Sequence, residues 1–258
     1  MQKDGSHAKN CAGLELQICD SVDKIDFLIN VPVLKGHCQT KMTCALKNLK
    51  GLIPNKEKRH FHAMGLHKPI AHLNMGIHQD FVVVDHICGD LDFEDGGNPT
   101  VCNCVMTAVD PVLMDTCACH MLHYETRDID YLVFAEELGC GSTDLEHANI
   151  QMCSRNIGYK EPELPKSYKV AALEDAVEEV ESCSACYGYF LPALQHLKEE
   201  GLLEKLDTKV CIGQGYREKH GRLGVGSCTS GFEYSVKGCP PTEDQIYEYL
   251  KEYIAKKR

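Results

Sequence analysis

The chain has no tryptophan, no long uninterrupted apolar stretch and no excess of basic residues. The missing apolar stretch excludes a predicted membrane-spanning helix, because a span needs about 20 apolar residues. The 27 basic and 38 acidic side chains give a net charge of −11, which argues against nucleic acid as a partner. No signal-peptide pattern opens the sequence, so we expect a cytoplasmic protein. The absence of tryptophan excludes nothing about the fold.

Cysteine, in contrast, is abundant, with 16 in 258 residues. The cysteines lie in apolar and glycine-rich stretches, and they lack the compact arrangement of a small secreted framework. In a reducing compartment this usage indicates metal binding together with inert buried thiols. The C-x-C pairs Cys102/Cys104 and Cys117/Cys119 fit either interpretation, as soft-metal ligands or as small core residues.

Four cysteines near the C-terminus have the pattern of an iron–sulfur site. Cys183 and Cys186 form a C-x-x-C pair, and Cys228 and Cys239 lie on the glycine-rich segments GSCTSG and KGCPPT. Four thiolates hold such a cluster, and a proline after the last ligand recurs in these sites. The sequence therefore predicts one [4Fe–4S] cluster at these residues. Zinc is the alternative, because C-x-x-C with two distant cysteines also fits zinc. Cys211, in the middle of a predicted strand, is a lesser candidate.

The segments GSCTSG and VKGCPPTEDQIYEYL resemble the cluster-binding end of two related proteins. These are the small subunit of nickel–iron hydrogenases and its counterpart in respiratory NADH:quinone oxidoreductase. The resemblance covers these two segments and the C-x-x-C pair, and it implies a single [4Fe–4S] cluster.

Apolar strands alternate with helical segments along the first part of the chain, which is typical of an α/β fold. Residues 1–10 are polar and expected to be frayed, and residues 14–18 predict an edge strand. The apolar runs at 26–33 and 80–90 predict strands buried on both faces. A third strand is predicted over 101–109, and helices are predicted over 42–50 and 129–138. Another helix begins at Asp110, an N-cap followed by Pro111.

A group of polar and cationic side chains follows the first predicted buried strand, at a place where α/β sheets bind ligands. Because the N-terminus of a helix attracts anions, the group predicts a site for a small anionic molecule. A solvated basic helix is the alternative. The predicted catalytic or anion-binding residues are Lys35, His37 and Lys47, and the predicted substrate contacts are Asn48, His67 and Asp85.

The segment EPELPK at residues 161–166 reads as a linker between domains 1–160 and 161–258. We expect an α/β first domain with a mixed or mostly parallel sheet core and helices on both faces. The second is expected to be a small α/β domain that holds the cluster. Its predicted elements are an acidic helix over 174–181, a helix from about residue 191, a strand over 209–213 and a terminal helix capped at Thr242.

The first 150 residues also resemble the domain of unknown function family DUF362. The resemblance is carried by the segments INVPVLKGHCQTKMTCALKNLKGLIP, GLHKPIAHLN, VVDHICGDLDFEDGGNP and DPVLMDTCA. Members frequently carry iron–sulfur modules, so the family implies a fold and a cofactor class, but no established reaction. The family's first strands and its common C-x-x-C-x-x-C-x-x-x-C insert are missing, so we expect a fragment or a short form.

Three functions are open at this point. The first is a redox protein that passes single electrons between a cluster and a partner protein or small anionic substrate. The second is a non-redox isomerase or lyase in which Lys35 and Lys47 bind the anion and His37 is the acid or base. The third is an accessory protein that delivers a metal or cofactor. The cysteine pattern favours the first.

Overall fold

The computed structural model of the protein describes residues 4–92, 99–154 and 171–256. They divide into two compact units, each with its own apolar core. The first unit contains the described residues 4–35, 40–91 and 99–154, and the second contains 36–39, 92 and 171–256. The linker predicted at 161–166 lies outside the described residues.

The first unit begins with a hairpin of β1 (Ser6–Cys11) and β2 (Leu14–Cys19). The connecting residues, Ala12 and Gly13, have φ values of 51° and 93°, as a two-residue hairpin turn requires. The strand predicted over 14–18 is thereby confirmed. The expectation that residues 1–10 are frayed is wrong for residues 6–10, because β1 pairs with β2 along its whole length. Residues 1–3 lie outside the described residues.

The elements that follow up to residue 154 are strands and helices in alternation. In chain order they are β3 (Ile29–Asn30), β4 (Lys35–His37), β5 (Lys41–Thr43), α1 (Ala45–Asn48), α2 (Asn55–Ala63), α3 (His67–Gly76), β6 (Phe81–Asp90), β7 (Pro99–Ala108), α4 (Pro111–Met121) and α5 (Asp130–Glu137). A three-stranded sheet has the order β3-β6-β7, with β3 parallel and β7 antiparallel to β6.

The strand predicted over 26–33 is shorter than expected and is buried on one face only. Asn30 and Leu34 are buried in the core, whereas Ile29 and Val31 are 53% and 59% exposed. In β6, which neighbours β3 in the sheet, buried and more exposed side chains alternate in the same way over most of its length. Helix α4 packs on β6 and β7, which is the reason that one face of the sheet is covered. The expectation of burial on both faces is therefore wrong for the first of these strands.

The helix predicted over 42–50 is only partly α-helical. Residues 41–43 form β5, α1 then covers Ala45–Asn48, and a 3-10 turn, Leu49–Leu52, continues from it. The start is set by Asp115, whose carboxylate oxygens accept hydrogen bonds from the Ala45 and Leu46 amides. The predicted cap of α4 is confirmed, because the Asp110 side chain accepts from the Val112 and Leu113 amides.

The second unit is built on a four-stranded sheet whose neighbouring strands are all parallel, in the order β11-β10-β9-β8. In chain order its elements are β8 (Val177–Glu179), α6 (Ser184–Glu199), β9 (Val210–Ile212), β10 (Leu223–Val225), β11 (Tyr234–Val236) and α7 (Glu243–Lys256). The acidic helix predicted over 174–181 is wrong. Residues 171–176 form a 3-10 turn, and β8 follows because Val177 packs in the core beside β9.

Two helices complete the second unit. Helix α6 begins at Ser184, before the predicted start near residue 191, and it continues through Pro192. The terminal helix α7 is capped as predicted, because Thr242 and Gln245 exchange hydrogen bonds between side chain and backbone. Leu194 of α6 and Leu250 of α7 are fully buried in the core of this unit. The predicted α/β class is confirmed. No helix in the described ranges has the length and apolar character needed to cross a membrane.

Candidate functional site

The four parallel strands of the second unit all end at the same edge of their sheet, because parallel strands share one direction. Three of the connections that leave this edge carry the predicted cysteine ligands. Cys183 and Cys186 follow β8, Cys228 follows β10, and Cys239 follows β11. The connection after β9 carries Arg217. The topology therefore gathers cysteines that are far apart in the sequence.

The first pair lies at the N-terminus of α6. Cys183 is the N-cap residue, with extended backbone (φ −75°, ψ 137°), and the Cys186 amide donates to its carbonyl oxygen at 2.9 Å. The C-x-x-C spacing therefore places both thiols at the first turn of a helix. The positive end of a helix favours a thiolate over a thiol.

The loop with Cys228 is held tightly by backbone and hydroxyl contacts. Gly226 has φ 89°, and its amide donates to the Val236 carbonyl oxygen at 2.8 Å. The buried Thr229 hydroxyl donates to the Gly226 carbonyl oxygen at 3.0 Å. A Cβ atom at Gly226 would lie 3.2 Å from the Cys186 sulfur, which is tighter than ordinary contact. Glycine at this position therefore satisfies the positive φ and leaves room for the Cys186 thiol.

The loop with Cys239 is fastened to the loop with Cys228. The Ser227 amide and hydroxyl both donate to the Gly238 carbonyl oxygen, at 2.8 and 3.0 Å. Gly238 has φ 141°, and a Cβ atom there would lie 2.6 Å from the Pro241 Cα atom. The peptide bond between Cys239 and Pro240 is cis. Cys239 is exposed at this edge of the sheet, whereas Cys228 is half-buried.

The four cysteines interact electrostatically. Burial, followed by the charges of Cys183, Cys228 and Cys239, raises the pKa of Cys186 to about 12. Without a metal, the Cys186 thiol is therefore protonated at neutral pH. A bound metal reverses this preference, because a coordinating thiol loses its proton.

Arg217 adds a positive charge to this group. Its pKa is raised, first by hydrogen bonding with the Cys228 side chain and then by the charges of Cys228, Cys183 and Cys239. Arg217 was not among the site residues predicted from the sequence. In the sequence, Arg217 is a cation soon after the glycines that end β9. This position indicates a place near Cys228 only when β9 and β10 are known to be neighbours.

Within residues 4–92, 99–154 and 171–256, no three His, Cys, Asp or Glu side chains are grouped so as to hold a metal ion. A single zinc ion requires sulfur ligands about 2.3 Å from one point. A [4Fe–4S] cluster binds each cysteine through a different iron atom, so its ligands are spread around a larger group. The two cofactors predicted from the sequence therefore make different demands on the spacing of the four sulfurs.

A short segment from the first part of the chain also belongs to the second unit. The Gln39 side-chain amide donates to the Ser182 carbonyl oxygen at 2.9 Å and to the Ser182 hydroxyl at 3.0 Å. The Ser184 hydroxyl donates to the Gln39 side-chain oxygen Oε1 at 3.2 Å. These two serines flank Cys183. Cys38 packs against the core of the same unit. This role of Gln39 was not predicted from the sequence, because the contact joins residues 145 positions apart.

The structure distributes the predicted catalytic residues between the two units. Lys35 and Lys47 belong to the first unit, and His37 belongs to the second. Lys47 is buried, and its ammonium group donates to the Thr43 hydroxyl at 2.7 Å. His37 is buried, and its Nδ1 atom accepts from the Gln39 amide at 3.1 Å. An accepting Nδ1 carries no proton, so the neutral ring holds its proton on Nε2. The anion site at these three residues stays a prediction.

The three predicted substrate contacts lie in the first unit. The exposed Asn48 donates to Asn30 at 2.7 Å, and the His67 ring stacks on Tyr131 at a centroid distance of 6.0 Å. Asp85 lies in the middle of β6, and its carboxylate accepts from the Ile87 amide at 3.0 Å. A role in binding substrate is untested for all three.

None of the 16 cysteines, all of which are described, forms a disulfide. In the first unit, Cys119 is buried on α4, and burial raises its pKa to about 12. Cys102 is buried on β7, where burial again raises the pKa. In the second unit, Cys211 lies in the middle of β9, with its sulfur 4.0 Å from a Glu178 oxygen. Cys211 is thus set back from the loops that carry the four predicted ligands.

Comparison with protein families gives one match, in which residues 3–120 match the model of a domain of unknown function, DUF362. All four segments that resemble this family in the sequence lie inside the match, so that part of the resemblance is supported. The match covers less than half of the chain and ends before the cysteines of the second unit. No curated protein and no solved structure matches the chain. The likeness to hydrogenase and oxidoreductase subunits therefore stays a prediction.

Proposed function

We propose that the second unit binds one [4Fe–4S] cluster through Cys183, Cys186, Cys228 and Cys239 and passes single electrons through it. The observation that carries the proposal is the convergence of these thiols. They come from three separate connections of a parallel sheet, and three of them affect the protonation of the fourth. The DUF362 match adds nothing here, because it ends at residue 120.

The residues around the thiols fit a cluster in three ways. Gly226 and Gly238 adopt positive φ, so the two loops turn sharply beside the sulfurs. The N-terminus of α6 and Arg217 supply positive charge to a group of thiolates. Pro240 directly follows Cys239, and a proline after the last cysteine ligand recurs in iron–sulfur sites.

When bound, a [4Fe–4S] cluster supplies one-electron oxidation and reduction. The protein residues bind and orient it, and Cys186, Cys183, Cys228 and Cys239 must release their protons to do so. Cys183, Cys186 and Cys228 are half-buried, whereas Cys239 is exposed. Electrons would therefore enter or leave on the Cys239 side. The partner in this proposal is a redox protein or a small anionic molecule.

The first experiment measures iron, acid-labile sulfide and zinc in anaerobically purified protein, together with visible absorption before and after dithionite. We expect about four irons and four sulfides per chain and an absorption band that dithionite bleaches. Zinc alone would contradict the proposal and indicate a structural metal site. A folded protein with neither metal would also contradict it.

Substitution of one ligand tests the assignment of residues. Cys239→Ser should lose the cluster and, because metal binding contributes to folding, should lower the melting temperature of the second unit. Cys211→Ser is the matched control, because Cys211 lies in β9 of the same sheet but away from the loops. It should keep wild-type iron content. Wild-type iron content in Cys239→Ser would remove Cys239 from the ligand set.

A further inference from the structure

Strand β7 forms one edge of the three-stranded sheet in the first unit. Among the described residues, β6 is its partner on one side, and no strand pairs with it on the other. Such an edge presents backbone N–H and C=O groups to any further strand. Lysine and other charged side chains usually protect an edge from pairing. The sequence of β7, PTVCNCVMTA, contains no charged residue, so this edge lacks that protection.

The two halves of β7 differ in regularity. Asn103 has φ 52°, and the register between the strands shifts between His86 and Cys88 of β6, so a bulge interrupts β7 at this point. Residues 104–108, which follow the bulge, keep a continuous antiparallel register with β6. The unbroken part of the edge is therefore residues 104–108.

Hydrogen bonds on the far side of β6 show which backbone groups of this edge point outward. The Asp85 carbonyl oxygen accepts from the Leu34 amide at 3.0 Å, and the Asp85 amide donates to the Pro32 carbonyl oxygen at 2.8 Å. The backbone groups of Asp85 therefore point away from β7. Val105 lies opposite Asp85, so its own N–H and C=O groups point away from β6. Those of Thr107, two positions further along, point the same way.

These outward groups match those of a second β7 strand. When two copies of β7 lie antiparallel with their Met106 residues opposite each other, Val105 of each copy faces Thr107 of the other. Residues paired in this way exchange both of their backbone hydrogen bonds. The side chains of Val105 and Thr107 are exposed and lie on the same face of the strand. Both are β-branched, and such cross-strand pairs stabilise sheets.

The distribution of charge favours a second copy as the occupant of this edge. Two-fold symmetry brings each side chain of β7 near its own counterpart, so a charged residue in the strand would meet a like charge. The strand has none, whereas the chain carries a net charge of −11, which opposes self-association in general. An uncharged strand is therefore the place where two such chains can approach.

The opposite edge of the sheet limits the assembly to two copies. It is formed by β3, which contains only Ile29 and Asn30 and is soon followed by Pro32. A short edge strand with a nearby proline is a poor template for pairing. Pairing through β7 therefore joins two three-stranded sheets into one of six strands, which is a common size for a sheet.

We propose that two copies of this chain associate by antiparallel pairing of their β7 strands, about a two-fold axis at Met106. The interaction surface is the outward edge of residues 104–108. This inference does not depend on the proposed cluster, because β7 lies in the first unit and carries none of the four predicted ligands.

The test measures the mass of the whole protein by sedimentation equilibrium over a wide range of concentration. It compares wild type with Val105→Lys and with the matched control Val31→Lys. Val105 and Val31 are 55% and 59% exposed, so the fold should tolerate lysine at both. We expect wild type to reach twice the mass of one chain as the concentration rises.

The two lysine variants should differ. Val105→Lys places the ammonium groups of the two copies on neighbouring positions of the paired strands, so the dissociation constant of the dimer should rise about tenfold or more. Val31 lies beside β3, at the other edge of the sheet, so Val31→Lys should keep the wild-type dissociation constant.

A third variant, Thr107→Pro, tests the backbone contacts without adding charge. Proline has no N–H group, and an edge strand tolerates it where that group would face solvent. The dissociation constant should again rise about tenfold, because each copy loses one outward donor. Urea denaturation and circular dichroism should show a folded protein.

Three results would overturn the inference. One is a wild-type protein that stays monomeric at every concentration. Another is a dimer that Val105→Lys and Val31→Lys weaken equally, because the exposed face of the sheet, and not its edge, would then hold the copies together. The third is a dimer that neither Val105→Lys nor folded Thr107→Pro weakens. Iron content does not enter these measurements, so a failure of the proposed cluster would leave the test intact.

Discussion

Asp115 is a fully buried carboxyl group in the first unit, and it fixes where α1 begins. Its two oxygens accept from the Ala45 amide at 2.6 Å and the Leu46 amide at 3.1 Å. Cys44, the residue before α1, makes no side-chain cap bond, so the cap comes from a distant residue. Burial raises the pKa of Asp115 to about 7, although the two amides and the Cys44 thiol act in the opposite direction.

This raised pKa predicts a pH dependence of stability. Between about pH 4 and pH 7 the folded state binds more protons at Asp115 than the unfolded state does. The contribution to the free energy of unfolding is therefore full below about pH 4, falls as the pH rises to about 7, and is lost above it. A shift of about three pKa units corresponds to at most about 4 kcal/mol.

Urea denaturation of wild type and Asp115→Asn at pH 5 and pH 8 measures this contribution. Because asparagine does not titrate, the stability advantage of wild type should be larger at pH 5 than at pH 8. The exposed Asp130→Asn variant is the control and should show the same difference from wild type at both pH values. An equal difference at both pH values for Asp115→Asn would contradict the prediction.

The segment 36–39 is the element whose role changes most between sequence and structure. The sequence predicts that His37 forms an anion site together with Lys35 and Lys47. In the structure, Gln39 bridges Ser182 and Ser184, the residues on each side of Cys183. The Ser182 amide also donates to the Glu179 carboxylate at 2.6 Å. The start of α6 is thus held from two directions, and Cys183 with it.

We therefore expect Gln39→Ala to loosen the cluster site. Loss of hydrogen bonds worth about 1 kcal/mol each should lower the free energy of unfolding of the second unit by about 1–2 kcal/mol. In a loaded protein, the rate of iron loss to a chelator should rise about fivefold. Gln195→Ala, which removes a glutamine that contacts Glu199 on α6, is the matched control. An iron-loss rate equal to that of the control would exclude this role for Gln39.

At the scale of the whole molecule, the two units have separate cores. Leu46 is fully buried in the first core, and Leu194 is fully buried in the second. Each core is large enough to unfold cooperatively by itself. A substitution that lowers the free energy of unfolding of one unit by a few kcal/mol should leave that of the other unit unchanged when the substituted residue makes no contact with it.

Scanning calorimetry should therefore show two transitions. Leu46→Ala should lower one of them and Leu194→Ala the other, each by the equivalent of about 2–5 kcal/mol. Removal of iron by a chelator should lower the transition that Leu194→Ala affects and leave the other in place. A single transition shifted by both substitutions would show that the units unfold together.

The sequence alone determined the features that depend on neighbouring residues. The caps at Asp110 and Thr242 were predicted because the side chain and the amide that it binds lie within three residues. The α/β class followed from apolar runs alternating with helical segments. The same kind of local pattern gave a wrong prediction for residues 174–181, where the acidic residues suggested a helix. These residues include the strand β8, which forms because it pairs with β9.

Only the tertiary structure decided what surrounds the cysteines. The sequence identified Cys183, Cys186, Cys228 and Cys239 from spacing and composition, but not what lies beside them. Arg217 lies beside Cys228 because β9 and β10 are parallel neighbours, and Gln39 lies beside Cys183 because residues 36–39 join the second unit. Such contacts depend on strand order and chain path, and neither leaves a periodic pattern in the sequence.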